Sequence, residues 1–460
     1  MARWLCSIAL LASLLPASPR AEVSLALALA KTYLENPRLQ AARARLRAVD
    51  ETVPIARAAR RPRLEARSAA SLRQLDRTAG SDTLQTLRQS LTLEQRLYDG
   101  GETSARIAGA EFDVRAERAR LEALEQEVLL EAVSAFTAVL RDQAVLELAL
   151  ANEQRLQQYL LAVRDRYRFG QVTRTDVAQA ETRYAAAVAE RQRAAGRLRA
   201  SGASYRRVIG DPPGTLVMPV LPPDLPRDAA TAAEAVDGHP EVRAARMALE
   251  SAERGVAAAR ASLWPKLTLS AELAVANDPD LDSGHQSEAA IGALLTVPLY
   301  QGGGSYARIR RSRQQVHAGR FALEDARRRV REGITAAFEG LETARARVDS
   351  LATRLNAAKL ALEGVREEAR TGARTVLDVL DAEQELFEAE TARTDAEREL
   401  VLSGYRLLAA MGRLTARDLG LEVTVYDEEA YYREVRSAWF GTEPPAAGGP
   451  RPSARTGERE

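Results

Sequence analysis

Cysteine is almost absent from this chain of 460 residues. The single cysteine, Cys6, lies in an apolar run from Trp4 to Leu15 that follows a short basic start and precedes a Pro/Ala/Ser stretch. This arrangement is typical of a signal peptide, so we predict that residues 1–21 are removed on export. The mature chain then has no cysteine, and it needs neither disulfides nor a lipid on an N-terminal cysteine.

Long hydrophobic runs are missing as well. After Leu15, no apolar run reaches the roughly 18 residues that a membrane-spanning helix requires. An exported chain of this kind is either soluble in the periplasm or beyond it, or crosses a membrane as a β-barrel.

An excess of charge of either sign is also lacking. The 65 basic residues, nearly all of them arginine, are interleaved with 64 acidic residues, so the net charge is +1. This balance predicts solvated helix faces and argues against a nucleic-acid-binding surface.

Histidine is scarce too, because the chain has only His239, His285 and His317, which are far apart in sequence. No metal-ligand spacing, phosphate-binding loop or nucleophile elbow is present. We therefore predict no enzyme activity, no cofactor and no metal site.

Proline is absent from two long stretches, between Pro62 and Pro212 and between Pro298 and Pro444. Apolar residues recur there at every seventh position, which predicts left-handed coiled-coil helices. The recurring residues are Ile107, Val114, Leu121, Val128 and Ala135 in the first stretch, and Ile309, Val316, Leu323, Val330 and Ala337 in the second. A helix over residues 102–168 would be roughly 100 Å long at about 1.5 Å per residue, a length that no globular core needs.

Two glycine-marked turns indicate that the chain contains one structural unit twice. Gly170 and Asp176 recur at the same spacing as Gly372 and Asp378. Each glycine ends a long helix in the position favoured for a left-handed C-cap, so each half is predicted to be a helical hairpin.

The apolar period changes from helical to alternating within each half. In the second half, one apolar face is formed by Leu267, Leu269, Ala271, Leu273 and Val275, and a second by Ala289, Ile291, Ala293, Leu295, Val297 and Leu299. The first half repeats the pattern more weakly, with Leu64, Ala66, Ala70 and Leu72, and then Leu87, Leu91, Leu93 and Leu97. Such two-faced strands fit a transmembrane barrel with a wet lumen, and a soluble hairpin on a helical core is the alternative. Because four strands cannot close a barrel, the membrane interpretation requires several chains to pool their strands.

These patterns predict a mainly α fold with a small β part, made of long coiled-coil helical hairpins and four strands per chain. The predicted division is a signal peptide (1–21), a first repeat (22–211), a linker (212–230), a second repeat (231–412) and a C-terminal segment with a disordered tail (413–460). The first repeat contains a strand pair (63–98), a long helix (102–168) and a return helix (174–209). The second repeat contains a strand pair (266–300), a long helix (304–370) and a return helix (375–410). The helix before the first strand pair is expected from Leu25 to Arg61, with a restart at Asn36-Pro37 and a break at Pro54.

The segment Gly372-Ala-Arg-Thr-Val-Leu-Asp-Val-Leu-Asp-Ala, its repeat partner from Gly170 to Asp176, and the junction Val297-Pro-Leu-Tyr-Gln-Gly-Gly303 resemble the TolC family of outer-membrane channels. The resemblance covers residues 22 to 425. It implies a homotrimer in the outer membrane, in which twelve strands form one barrel and twelve helices continue it as a periplasmic tunnel. It also implies a passive exit duct for type I protein secretion or drug efflux, with a periplasmic adaptor and an inner-membrane ABC or RND-type transporter as partners.

The same resemblance assigns roles to residues at the two turns. Asp378 and Asp381 match aspartates that line the tunnel constriction in relatives, where threefold symmetry would gather six carboxylates. Arg374, Asp176 and Thr175 match residues that hold neighbouring hairpins shut, while Ala369 stands where an aromatic is expected. The tips expected to dock the adaptor are Gly170, Gln171, Val172, Thr173, Gly372, Ala373 and Thr375.

The residues alone leave other interpretations open. Without the resemblance, Asp378 would cap the return helix and Asp381 would face solvent. An exported coiled-coil scaffold or adaptor would share the heptads and the signal peptide, but it would not need four two-faced strands. An enzyme of the cell envelope is disfavoured by the missing catalytic constellations. Cargo is not encoded in this chain if, as we expect, the transporter selects it.

Overall fold

The computed structural model describes residues 22–77, 80–222, 224–277 and 285–445 of the chain. The predicted signal peptide and the last part of the C-terminal tail, from residue 446, lie outside the described residues. The described part is mainly α with a small β part, as the sequence predicts.

The elements follow one another in two similar series. The first series is β1 (Glu22–Val23), α1 (Leu25–Glu35), α2 (Pro37–Asp50), α3 (Thr52–Ala58), β2 (Arg63–Arg77), β3 (Gly80–Tyr98), α4 (Glu102–Arg168), α5 (Arg174–Ile209) and β4 (Thr215–Leu216). The second series is α6 (Ala229–Ala233), a 3-10 helix (Glu234–Gly238), α7 (Pro240–Ala261), β5 (Lys266–Asn277), β6 (Gln286–Thr296), α8 (Gly304–Arg370), α9 (Val376–Ala410) and α10 (Ala430–Val435). None of the helices in the described ranges combines the length and the apolar content needed to span a membrane.

The chain divides into two compact units. The first unit contains the described residues of Met1–Thr32, Glu131–Leu221 and Ala346–Leu402, and it carries both helical turns. The second unit contains Tyr33–Leu130, Pro222–Arg345 and the described residues of Ser403–Glu460, and it carries the larger sheet.

The larger sheet, in the second unit, has four antiparallel strands in the order β2-β3-β5-β6. Its outward apolar side chains are exposed in the single chain, including Leu64, Leu72, Leu273, Ile291 and Leu295. The order leaves β2 and β6 at the two edges of the sheet.

Strand β6 is shorter than the sequence predicts. It ends at Thr296, so the prediction that the strand pair reaches residue 300 and includes Val297 and Leu299 is wrong. The reason is Pro298, which has no backbone N–H to donate to the neighbouring strand.

The helix before β2 also breaks at a different place. Asn36 caps the restart as expected, since its side chain accepts a hydrogen bond from the Arg38 backbone N–H at 2.9 Å. The next break falls at Glu51 and not at Pro54, which occupies the third position of α3. Proline is tolerated in a first helical turn because the N–H it lacks would have no partner there.

The seven-residue repeat lies largely on the buried faces of α4 and α8. Val114, Leu121 and Val128 of α4 are buried, and so are Ile309, Val316 and Val330 of α8. Ile107, Leu323 and Ala337 are half-buried in the single chain.

His239 has a structural environment in the second unit. Its Nδ1 accepts a hydrogen bond from the Glu241 backbone N–H at 3.2 Å, so it caps the start of α7. Burial lowers the pKa of His239 below its ordinary value.

Candidate functional site

The candidate site lies at two turns of the first unit, which we name the first tip (residues 167–176) and the second tip (residues 369–378). Gly170 has φ 71° and Gly372 has φ 83°, both in the left-handed region that favours glycine. In the first tip, Gly170 N–H donates to Tyr167 C=O at 2.9 Å and Gln171 N–H donates to Arg166 C=O at 2.9 Å. Gly372 and Ala373 repeat these bonds in the second tip, so both long helices end in a Schellman motif.

Each return helix begins with the same capping box. In the first tip, the Asp176 carboxylate accepts hydrogen bonds from the Thr173 backbone N–H and hydroxyl, both at 2.8 Å, while the Thr173 hydroxyl accepts from the Asp176 N–H at 3.3 Å. Thr375 and Asp378 form the same bonds at 2.8, 2.8 and 3.2 Å in the second tip. The local reason is the Thr-x-x-Asp spacing, which places one acceptor over the free N–H groups of the first turn.

Asp378 therefore already has a partner within its own chain. The hydrogen bonds from the Thr375 backbone and hydroxyl hold the pKa of Asp378 below its ordinary value, because they favour the charged form. Capping by Asp378 is the arrangement expected from the residues without the family resemblance.

Asp381 lies one turn further along α9 and pairs with a basic residue. The Arg183 guanidinium of α5 donates to the Asp381 carboxylate at 2.6 Å, and both side chains are partly exposed. An exposed pair of this kind is weak, with a free energy of about 0–1 kcal/mol, so a competing charge can replace it.

The predicted latch residues use separate partners within one chain. Arg374 donates to the Glu368 carboxylate at 2.7 Å, whereas Asp176 is held by its capping box. Thr175 is exposed at the second position of α5. A latch in which Arg374, Asp176 and Thr175 hold neighbouring hairpins shut stays a prediction.

The base of the second tip packs on an apolar cluster. Val376 and Leu380 of α9 contact residues of α4 and α5, and the buried members of this cluster are Leu156, Leu160, Val163, Ala180, Ala187, Val376 and Leu380. Burial in this cluster raises the pKa of the neighbouring Tyr159. The start of α9 is thus held by apolar packing, while the tip residues Gly372, Ala373 and Thr375 are exposed.

Glu383 is a charged residue near this site that the sequence interpretation missed. Its side chain is 5% exposed and accepts a hydrogen bond from Arg155 of α4 at 3.1 Å and another from Arg366 of α8. A signal was present, because Glu383 follows Val376 by seven residues and so interrupts the apolar seam of α9.

Phe169 is a second residue that the sequence interpretation missed. It precedes Gly170 and is 79% exposed, although it is a large apolar side chain. Contiguous exposed apolar patches mark contact surfaces, whereas a single exposed residue does not by itself. The first tip also exposes Tyr167, whereas the corresponding residues of the second tip are Ala369 and Thr371.

Across the residues that the structure describes, no three His, Cys, Asp or Glu side chains are grouped so that they could hold a metal ion. What the arrangement provides is a pair of rigid turns with exposed faces, capped carboxylates and ion pairs weak enough to exchange partners.

Comparison with known proteins places this geometry in one family. The sequence model of the family described as outer membrane efflux protein matches residues 28–211 and 232–413. Among curated relatives, the outer membrane efflux protein BepC of Brucella suis biovar 1 is 35% identical over 420 residues, which are 91% of this chain and 91% of BepC. The outer membrane protein TolC of Vibrio cholerae is 25% identical and covers 84% of this chain and 89% of its own. The alkaline protease secretion protein AprF of Pseudomonas aeruginosa is 25% identical, and the match covers 72% of this chain and 71% of AprF.

Solved structures show the same fold at low sequence identity. The CmeC outer membrane channel of Campylobacter jejuni matches with a TM-score of 0.77 at 15% identity, covering 90% of this chain and 89% of CmeC. The resemblance to TolC channels is thereby confirmed: the chain belongs to the outer membrane efflux protein family and is an outer-membrane protein of the efflux and secretion channel class.

Proposed function

We propose that three copies of this chain form the passive, gated exit duct of a tripartite machine for type I protein secretion, drug efflux or both. The observation that supports the proposal best is the four-stranded sheet, whose edge strands β2 and β6 carry exposed apolar side chains. Open strand edges are not tolerated in lipid, because each unpaired N–H and C=O there costs several kcal/mol.

Symmetry supplies a way to satisfy these edges. Because the four strands of one chain alternate in direction, β6 of one copy would lie antiparallel to β2 of the next copy in a closed ring. A head-to-tail contact of this kind closes into a ring when the rotation fits. Three copies would give a barrel of twelve strands, an even number as in bacterial outer-membrane barrels.

Cysteine pairs test this assembly directly, since Cys6 is the only native cysteine and can be replaced by serine. Ala70→Cys in β2, combined with a scan of β6 over residues 289–291, should give oxidised dimers and trimers but no larger species. As a control, Leu91→Cys with Leu273→Cys joins two residues that are paired within one chain, and it should give monomers only. Polymers from the edge pair, or a folded monomer in detergent, would contradict the trimer.

The two tips form the proposed contact with a periplasmic adaptor. Gly170, Gln171, Val172, Thr173, Gly372, Ala373 and Thr375 lie at exposed or half-exposed turns whose backbones are fixed by caps. A fixed turn loses little conformational entropy on binding, which favours docking. Phe169 enlarges this surface on the first tip.

Bulky substitutions at both tips, Val172→Trp with Ala373→Trp, should abolish export while trimers and membrane insertion persist. The control Arg199→Glu changes an exposed charge on α5 away from the tips. Cross-linking from Gln171 in intact cells, followed by identification of the captured proteins, should yield the adaptor together with its ABC or RND-type transporter. Export that survives the double substitution would place the adaptor contact elsewhere.

The gate is proposed at the second tip. Asp378 and Asp381 of three copies would ring the axis, and Arg374 would exchange Glu368 for Asp176 of a neighbouring copy in the closed state. These changes require that two exposed, weakly held ion pairs open, Arg374–Glu368 and Arg183–Asp381. Asp176 and Asp378 can keep their capping bonds, because a carboxylate accepts several hydrogen bonds. Relatives named for efflux and for protease secretion support both proposed roles of the machine, drug efflux and protein secretion.

A further inference from the structure

The last described residues of the second unit include two exposed aromatic side chains. Trp439 is 59% exposed and Phe440 is 93% exposed. We name these two residues the C-terminal aromatic pair. An aromatic side chain of this size buries about 150–250 Å² when it is covered, so the pair could contribute substantially to a contact.

The segment that carries the pair is anchored to the rest of the unit. Tyr431 and Val435 of α10 are buried, and the Tyr431 hydroxyl donates to the Glu51 carboxylate at 2.7 Å. Further along, Arg57 donates to the Arg436 carbonyl at 3.3 Å. The chain therefore reaches Trp439 through a series of fixed contacts.

Arg61 sets the position of the pair itself. Its guanidinium donates to the carbonyl oxygens of Ala438 at 2.5 Å and Ser437 at 3.3 Å. The same guanidinium lies 4.6 Å from the centre of the Trp439 ring, a cation–π contact. One side chain thus holds both the backbone and the indole.

This position is the helix-side end of the four-stranded sheet. Arg61 precedes Arg63, the first residue of β2, and two residues of chain span at most about 7 Å. The strands β3, β5 and β6 end or begin at the same side, beside the exposed residues Tyr98, Trp264 and Tyr300. The C-terminal aromatic pair therefore adds to a group of aromatics at one end of the strands.

We propose that Trp439 and Phe440 insert into the boundary between the headgroups and the acyl chains of the outer membrane's inner leaflet. The proposal rests on the proposed function, in that β2, β3, β5 and β6 are taken as the membrane-spanning strands. Tryptophan and other amphipathic aromatics favour this depth because the ring is apolar while the indole N–H can bond to water or headgroups.

Charge at the same end favours a phospholipid over a protein partner. Residues 57–63 contain Arg57, Arg60, Arg61 and Arg63 without an acidic residue, and Arg436 lies on the bonded C-terminal segment. Glu111 offsets one of these five charges, through ion pairs with Arg57 at 3.3 Å and Arg436 at 3.9 Å. Clustered arginines beside a membrane attract anionic headgroups, which would strengthen the insertion of the neighbouring rings. The C-terminal segment would thereby help to anchor the chain at the membrane surface.

Tryptophan fluorescence provides the test, because the chain has three tryptophans, Trp4, Trp264 and Trp439. The full chain with Trp4→Phe and Trp264→Phe retains Trp439 as its only tryptophan. In vesicles of phosphatidylethanolamine and phosphatidylglycerol, its emission should be blue-shifted. Lipids brominated near the glycerol backbone should quench it about twofold, and lipids brominated near the methyl end less, as expected for a ring at headgroup level.

Arg61→Gln in this background should reduce the quenching more than Arg60→Gln does, because each substitution removes one clustered charge but only Arg61 contacts Trp439. Water-like emission without quenching would overturn the proposal. A blue-shifted emission that brominated lipids leave unquenched would overturn it as well, and would assign the pair to a contact with a neighbouring copy. Conductance and trimer content of the same vesicles report separately on the proposed function.

Discussion

The two tips have the same backbone geometry, but their exposed side chains differ. Both long helices end in a Schellman motif, at Gly170 and Gly372, and both return helices begin in a Thr-x-x-Asp capping box. The side chains between the caps have diverged, since the first tip exposes Phe169 and the second carries Arg374 paired with Glu368. What the tips share is needed to fold a hairpin, so the differences are where separate functions would be found.

The two hairpins also share an Arg–Glu ion pair, whose two copies have the same residue types but differ in burial. Arg164 and Glu181 form an exposed ion pair at 2.7 Å in the first hairpin, and Arg366 and Glu383 occupy the equivalent positions in the second. Glu383 is buried and bonds Arg155 as well. The glutamate of this ion pair is thus buried in the second hairpin and exposed in the first.

The largest predicted effect follows from this difference. Glu383→Ala leaves Arg155 and Arg366 without their shared carboxylate, which should destabilise the chain by about 2–3 kcal/mol. This is less than the 3–5 kcal/mol of a fully buried pair, because Arg366 is partly exposed. Denaturant unfolding of the detergent-solubilised protein measures the change.

The matched variant Glu181→Ala removes the exposed copy and should cost no more than about 1 kcal/mol. Equal effects of the two substitutions would mean that burial of Glu383 does not distinguish the two pairs.

The second prediction concerns what the tips share. Gly170→Ala and Gly372→Ala should each cost about 1–2 kcal/mol, because both glycines have positive φ and a Cβ there is strained. No neighbouring atom lies within 4 Å of an added Cβ at either position, so the cost comes from the backbone alone. Hydrogen exchange of the tip amides should accelerate equally in the two variants.

Gly364→Ala is the control, since Gly364 lies inside α8 with open space around it. Alanine should stabilise the helix there by up to about 1 kcal/mol. A marked difference between the two tip variants would show that the two C-cap motifs contribute unequally to stability.

The sequence predicted the local parts of this structure well. The ends of α4 and α5, the glycine turns and the four strands follow from short-range rules for caps, prolines and alternation. It was wrong about the end of β6 and about the break before α3, where the position of a proline decides the boundary. It also could not predict choices that depend on packing. Arg374 has carboxylates at positions 368, 378 and 381 nearby in sequence, and only the folded tip selects Glu368. Likewise, the burial of Glu383 depends on α4 and α8 meeting α9, which no local pattern specifies.

The third prediction tests whether Arg374 gives the second tip a function of its own. If Arg374 links neighbouring hairpins, Arg374→Ser should raise the conductance of the isolated channel in a planar bilayer by up to about tenfold, because three weak links are lost together. Large antibiotics should also enter cells more readily.

Arg370→Ser removes a similar exposed pair, with Glu367 at 2.6 Å, four residues away on the same tip. Its conductance should stay at the level of the unchanged protein. If Arg374→Ser behaves in the same way, apolar packing around Val376 and Leu380 keeps the tip closed, and not the arginine.

The smallest effect concerns the charge of the second tip. We expect the closed channel to prefer cations and to be blocked by trivalent cations from the periplasmic side, because confined carboxylates attract multivalent cations most. Asp378→Asn with Asp381→Asn should remove both effects while the uncharged amide at position 378 retains the cap. Asp165→Asn is the control, since this exposed carboxylate near the end of α4 pairs with Arg168 and has no proposed role in the gate, and it should leave selectivity unchanged.

The pH at which selectivity disappears shows whether the carboxylates meet. Within one chain, the Thr375 hydrogen bonds lower the pKa of Asp378, so its charge and its capping bond should be lost only as pH falls below the ordinary aspartate range. If three copies gather their carboxylates around the axis, mutual repulsion opposes this lowering of the Asp378 pKa, and selectivity should be half lost above that range. Reversal potentials recorded between pH 3 and 6 distinguish the two cases, since that window brackets the ordinary aspartate pKa of about 3.9. A midpoint below the ordinary range would mean that capping dominates, that the carboxylates stay apart, and that other residues line the constriction.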